Sequence, residues 1–239
     1  MNMFIYYKGI SVRYLVVGDG DVPILFLHGW GGSVKSFSFI CKYLKFNYKA
    51  IFIDFPPFGE SEMPFCPLTI YDYANIVIKV LNKEMVNKPV VVGHSFGGRV
   101  AILLGEYKIP SKIVLLGSAG LKPKRHFSYY LKVLSYKFFK LFGLYIFRGS
   151  KDYKDLTPIM KQTFKNIVNT YLDSSVKKIK VKTLIFWGKK DKETPLYMAK
   201  RLNKYITNSE LVIIKDAGHF SYVDDFNTFI HTLNYFILS

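Results

Sequence analysis

Residues 90–101, Val90-Val91-Val92-Gly93-His94-Ser95-Phe96-Gly97-Gly98-Arg99-Val100-Ala101, constrain the fold of this chain more than any other stretch. An apolar run of strand length stops at a glycine, turns through one serine and resumes as a helical segment. Gly93 and Gly97 frame Ser95 in a G-x-S-x-G pattern, a turn so tight that strand and helix approach closely and a Cβ at either glycine clashes. Ser95 then sits at a strained tip with its Oγ exposed. The N-terminus of the following helix points at it and favours developing negative charge. Glycine and serine also recur together in ordinary strand-to-helix turns. The apolar strand before and the helix after move the balance toward a nucleophile.

The flanking sequence alternates between strand and helix signals. Runs at 3–7 and 11–17 read as an N-terminal hairpin around Lys8-Gly9-Ile10. The continuous apolar runs at 23–27, 50–54, 90–93 and 113–116 suit strands covered on both faces. Helices are expected at 33–46, with Ser33 as cap, at 69–84, where Ile70, Tyr73, Ala74, Val77, Val80 and Leu81 share one face, and at 96–107. The alternation breaks at Leu121. From there to about Ile179 the chain is basic and aromatic with helical spacing, and Phe127, Tyr130, Leu131, Leu134, Phe138, Leu141 and Phe142 form an apolar stripe. Strands resume at 182–188 and 211–214, with helices at 195–205 and 222–238. The pattern predicts an α/β fold: a mainly parallel eight-stranded sheet with helices on both faces. Its core is discontinuous, 1–120 and 180–239, with a helical insertion at 121–179.

Composition narrows the class. The 239 residues are long enough for one domain with a substantial core, and half of them are apolar. No apolar run reaches the ~18 residues of a membrane span, and residues 1–8 lack the basic-then-apolar order of a secretory signal. Cys41 and Cys66 fit no metal spacing and suggest reduced thiols in a cytoplasmic protein. No cofactor or metal motif is present. The net charge is +17, and residues 122–182 hold 15 Lys or Arg against Asp152, Asp155 and Asp173. That excess reads as a solvated lysine-rich face, with weak attraction to anionic surfaces or to acidic substrates as the competing readings. No nucleic-acid module is recognisable, so no nucleic-acid partner is expected. Oligomeric state is left open.

A serine hydroxyl needs a base within hydrogen-bond reach, and the base needs an acid to fix its tautomer. The histidines are His28, His94, His126, His219 and His231. His219, in Asp216-Ala217-Gly218-His219-Phe220, lies just past the last strand. His94 is expected to point away from the serine, His126 is in the insertion and His231 is inside the last helix. Asp191 follows Trp187-Gly188-Lys189-Lys190 at a strand's carboxyl end, where open α/β sheets place their sites. Ser95, Asp191 and His219 thus occur in the order Ser…Asp…His, each just past a buried strand.

On these residues the chain resembles the α/β-hydrolase fold family over essentially its full length. The resemblance rests on His28-Gly29-Trp30-Gly31-Gly32, Asp54-Phe55-Pro56-Pro57-Phe58-Gly59-Glu60-Ser61, Gly93-His94-Ser95-Phe96-Gly97-Gly98, Gly188-Lys189-Lys190-Asp191 and Ala217-Gly218-His219-Phe220. It implies Ser95 as nucleophile, His219 as general base and acid, Asp191 as orienting acid, and an oxyanion hole from the Trp30 and Phe96 backbone N–H groups. Pro56-Pro57 departs from the family's usual single proline and glycine in a supporting loop. Residues 121–179 match the position of the family's cap. Phe127, Tyr130, Phe138, Phe142, Tyr145 and Phe147 are candidates for its pocket lining, together with His28, Gly29 and Phe220; for any one aromatic, packing of the insertion's own core is the competing role.

The implied activity is a carboxylesterase-like serine hydrolase acting on a small-molecule ester. Carbon–carbon bond hydrolysis of a diketone-like compound, a lysophospholipase- or monoglyceride-lipase-like activity, and a ligand-binding protein on the same scaffold are the alternatives. Serine at position 95 argues against relatives that use aspartate as nucleophile on halides or epoxides.

Overall fold

A computed structural model describes residues 2–124 and 156–239. Eight strands form one sheet: β1 (Asn2–Tyr7), β2 (Ile10–Val17), β3 (Val22–Leu27), β4 (Tyr48–Ile53), β5 (Val90–His94), β6 (Lys112–Leu116), β7 (Lys182–Gly188) and β8 (Ser209–Ile214). Their spatial order is β1-β2-β4-β3-β5-β6-β7-β8. The N-terminal hairpin supplies the two antiparallel pairings, and the remaining neighbours are parallel. Described helices are α1 (Ile70–Lys83), α2 (Phe96–Glu106), α3 (Pro158–Asn169), α4 (Asp173–Lys178), α5 (Leu196–Tyr205), α6 (Ser221–Asp224) and α7 (Phe226–Leu238). None of them is long and apolar enough to cross a membrane.

Alternation along each strand feeds two cores. Leu25 and Leu27 of β3 face one layer with Val77, Val100, Leu104, Ala199 and Leu202 from α1, α2 and α5. Ile24 and Phe26 face the other, with Phe37, Ile40, Phe229, Leu233 and Phe236. Phe26 is stacked on Phe52 at 4.9 Å and is 1% exposed, so truncation to alanine there costs about 3–5 kcal/mol. Burial on both faces explains the unbroken apolar runs of the central strands.

Two expected helices are different in the structure. Residues 33–46 form short 3-10 turns at Val34–Ser36 and Ser38–Tyr43 instead of one helix. Ser33 does cap the first, in a reciprocal box with Ser36. Phe37 leaves helical geometry at φ −133° because its ring docks between Phe26 and Tyr222, at 5.4 and 5.1 Å. The helix expected at 222–238 is likewise broken at Asp225 (φ −132°, ψ 71°), whose carboxylate accepts from Thr228 N and starts α7.

Between β6 and β7, the described parts of 121–179 begin and end side by side. Leu172 N donates to Gly120 O at 2.8 Å, and Lys122 N donates to the Asp173 carboxylate. Arg99, buried in α2, donates from Nη1 to Ile167 O and Thr170 O at 2.8 Å each, at the C-terminal end of α3. Burial lowers its pKa to about 10, which leaves it charged at neutral pH against the negative end of that helix. Thr163 Oγ1 and Asn166 pin the same helix to the backbone of Leu68.

Two histidines are built into the carboxyl end of the sheet as neutral rings. His28 donates from Nδ1 to Gly29 O at 2.7 Å and accepts from Phe55 N at Nε2, which fixes its tautomer and ties the ends of β3 and β4 together. His94, 3% exposed, donates from Nε2 to His219 O at 3.1 Å. Burial lowers His28 from the ordinary 6.5 to about 4, and burial followed by the His219 ring lowers His94 to about 3.

Two outcomes follow for stability. The unfolded chain binds protons at both histidines below about pH 6.5 and the folded chain does not, so stability falls with falling pH from there toward about 4. Each ring contributes a slope approaching about 1.4 kcal/mol per pH unit. Urea midpoints measured from pH 7.5 to 5.0 are expected to decline, and His94→Gln to decline less steeply; a flat profile contradicts the neutral burial of these rings. Separately, a Cβ on Gly97 lies 2.1 Å from Leu27 O, so Gly97→Ala is expected to lose about 3 kcal/mol or more in the same assay.

Candidate active site

Strand β5 delivers the chain to Ser95, which takes φ 49° and ψ −107°, a conformation an L-residue adopts only under constraint. The constraint is visible on both sides. Ser95 N donates to Leu116 O, and Ser95 O accepts from Gly98 N and Ala119 N, all within 3.1 Å. The space is equally restricted: a Cβ on Gly93 lies 2.6 Å from Gly97 O, and one on Gly98 lies 2.1 Å from Ser118 Oγ. Phe96 opens α2, so its N–H has no intrahelical acceptor. Its side chain is buried against Tyr73, Phe55 and Trp30.

The loop after β3 brings a second backbone donor near this turn. Trp30 N makes no backbone hydrogen bond among the described residues, while Gly32 N closes a turn onto Gly29 O. The Trp30 ring is wedged between Phe58, Phe96 and Phe164. Gly29 is required by space, since a Cβ there meets His94 Nδ1 at 2.8 Å.

Asp191 and His219 come from the loops after β7 and β8. The loops touch so closely that a Cβ on Gly188 meets Gly218 O at 2.1 Å. Asp191 is fully provided with donors. Its Oδ1 accepts from Glu193 N and Thr194 N at 2.9 Å each, and its Oδ2 accepts from the Thr194 hydroxyl and from His219 Nδ1 at 2.9 Å. Burial alone raises its pKa, but the bonds from His219 and Thr194 outweigh it and hold the carboxyl below the usual range. The acceptor at Nδ1 leaves His219 Nε2 facing the cavity, where Glu193 Oε2 stands 3.3 Å away.

Ser95 and His219 share the wall of one cavity of about 620 Å³, also lined by Trp30, Phe164, Glu193 and Phe220. Among the described residues Ser95 Oγ makes no hydrogen bond. Gly29 and Phe220 are at this wall as expected, whereas His28 lies beneath it, occupied on both nitrogens. His94 is drawn into the site: its ring lines the cavity and sits 4.7 Å from that of His219. The tight loop contact at Gly29 turns it toward the last loop, which the pattern of a five-residue turn does not encode. His126, Phe127, Tyr130, Phe138, Phe142, Tyr145 and Phe147 lie outside the described residues. Glu193, Thr194, Leu156 and Phe164 are site residues that sequence reading missed, since no motif or periodicity marks them. No group of three or more His, Cys, Asp or Glu among the described residues is arranged to hold a metal ion.

Comparison with known proteins agrees with this architecture. The chain is 28% identical to the uncharacterized hydrolase YugF of Bacillus subtilis, over 88% of each chain. It is 25% identical to the 2-hydroxy-6-oxo-6-(2'-aminophenyl)hexa-2,4-dienoic acid hydrolase of Metapseudomonas resinovorans, covering 94% of this chain and 86% of that protein. Among solved structures, an esterase from Exiguobacterium antarcticum superposes with a TM-score of 0.80 over the full length of both chains at 23% identity. Residues 24–229 match the model of the alpha/beta hydrolase family, and the chain belongs to that family.

Proposed function

We propose that this chain hydrolyses carboxylic esters through an acyl-enzyme on Ser95. Ser95 Oγ attacks the ester carbonyl carbon and its proton passes to His219 Nε2. The carbonyl oxygen becomes an oxyanion held by the Trp30 and Phe96 N–H groups. The bond to the leaving alcohol then breaks, and Nε2 returns the proton to the departing oxygen. Water repeats the cycle and releases the acid. Asp191 keeps the Nδ1–H tautomer in place and stabilises the imidazolium that forms.

The observation that carries this reading is the pairing of a strained serine with an Asp191-held imidazole on one cavity. Trp30, Leu156, Phe164, Phe220 and Tyr222 give that cavity an apolar wall, suited to a modestly hydrophobic acyl or aryl group. Two of these come from 121–179, which we read as a cap over the site.

Carbon–carbon bond hydrolysis is the second reading, favoured by the relatives named for dienoic and dienedioic acids. Such acids bring a carboxylate into the site. Glu193, which is acidic, lines the described wall and meets such a carboxylate with like charge. That charge distribution supports the ester reading.

A nitrophenyl acyl series is expected to show turnover with short or medium acyl groups. Ser95→Ala should abolish it, and Asp191→Asn should lower kcat by roughly 10³–10⁴-fold, both with unchanged circular dichroism. Turnover that survives Ser95→Ala overturns the assignment. Faster cleavage of a 2-hydroxy-6-oxo-dienoic acid than of any ester replaces it with the second reading.

A further inference from the structure

We propose that Glu193 reads the alcohol half of the ester: it favours leaving alcohols that carry a hydroxyl or ammonium group near the ester oxygen and disfavours those that carry a carboxylate or phosphate. This rests on the hydrolase reading above and extends it to substrate class, toward esters of polyols or amino alcohols.

The argument begins with which atom Glu193 approaches. His219 has two ring nitrogens, and each faces a carboxylate. Asp191 holds Nδ1 from within the protein, at a side chain with no exposure. Glu193 Oε2 stands 3.3 Å from Nε2, and its side chain is 68% exposed. Nε2 is also the atom that must deliver a proton to the leaving oxygen, so that oxygen sits about 2.6–3.2 Å from it during bond cleavage. The Glu193 carboxylate and the leaving oxygen are therefore neighbours, while the carbonyl oxygen points to Trp30 N and Phe96 N. A substituent two or three bonds from the leaving oxygen falls within reach of the carboxylate.

The backbone of Glu193 is fixed where its side chain is not. Its N–H donates to Asp191 Oδ1, the same oxygen takes Thr194 N–H, and Pro195 follows at φ −57°. The carboxylate thus swings about a held stem. Its Oε2 stands 3.3 Å from Nε2, the nitrogen that takes the Ser95 proton, and the contact becomes an ion pair when the ring carries both protons. A substrate hydroxyl donates a hydrogen bond to the carboxylate and an ammonium pairs with it by charge, and either draws it from beside Nε2. An anionic alcohol offers no such exchange and meets like charge. Glu193 is the one acidic side chain among the described lining residues, and no Lys or Arg joins it there.

The test keeps the acyl group constant and varies the alcohol. Butyrate esters of ethanol, glycerol, choline and glycolic acid are compared by pH-stat release of butyrate, at low salt and at 0.5 M salt. The wild-type chain is expected to prefer the choline and glycerol esters over the glycolate ester in kcat/KM by about tenfold. Glu193→Gln should compress the choline-to-glycolate ratio by about five- to tenfold, and Glu193→Lys should invert it. Added salt should shrink the ratio in the wild type and leave it unmoved in Glu193→Gln. A residue that merely supports the loop changes all four esters together, so ratios that are the same in all three proteins overturn the proposal. Turnover of ethyl butyrate with no charge preference overturns the role of Glu193 alone. No turnover of any ester overturns the hydrolase reading and this inference with it.

Discussion

The site depends on a backbone conformation that only close packing can hold. Ser95 at φ 49° costs on the order of 1–3 kcal/mol, and nothing in its own side chain repays that. The cost is met by three backbone hydrogen bonds to the ends of β6 and α2 and by the fit of α2 against β3 and β5. Gly97 sits on Leu27 O and Gly98 on Ser118, so the helix reaches the sheet only because two successive residues lack side chains. The same approach leaves the Phe96 N–H at the helix start without an intrahelical acceptor.

Around this turn, buried polar groups hold the loops where apolar packing alone does not specify them. Asp54, with no exposure, accepts from Val34 N, Glu60 N and Arg13 Nη1. A Cβ on Gly59, which has φ +61°, would fall 2.2 Å from that carboxylate. His28 bridges the neighbouring strand ends, and His94 reaches the carbonyl of His219. Each of these groups has its partner, and a lost partner inside such a network typically costs about 1–3 kcal/mol. The loops after β3, β4, β5 and β8 are in this way one connected rim.

Much of this was legible in the sequence because it follows from short-range rules. Unbroken apolar runs gave β3, β5 and β6, the shared apolar face of Ile70, Tyr73, Ala74, Val77, Val80 and Leu81 gave α1, and glycines bracketed the turn at Ser95. The Asp191–His219 pair was read from chain order, from the place of each residue past a strand end and from the family resemblance, and its side chains lie 2.9 Å apart. The misses arise where tertiary contacts override local pattern. Phe37 reads as one more apolar helical residue until its ring finds Phe26 and Tyr222. Asp225 reads as a helix interior until its carboxylate caps the segment that follows. His28 looks like a wall residue because it precedes the glycines, yet both ring nitrogens are committed beneath them. Glu193 carried no periodic or motif signal, since its role comes from the path of one turn past Asp191.

Arg99 links the turn at Ser95 to residues 156–179. A cation taken out of water needs compensation, and here it comes from two carbonyls at the end of α3 rather than from a carboxylate. Those carbonyls belong to the last turn and its cap, where Ile167 O also accepts from Thr170 N and the guanidinium takes up the acceptor capacity that remains. The link has a direction: α2 is set by its packing on the sheet, and α3 is set by α2 through Arg99 and by the Leu68 backbone through Thr163 and Asn166. Phe164, one turn before Ile167 on α3, thereby reaches Trp30 at a ring distance of 5.3 Å. The wall that α3 lends to the cavity is referenced to the same helix that positions Ser95, so wall and serine share one frame.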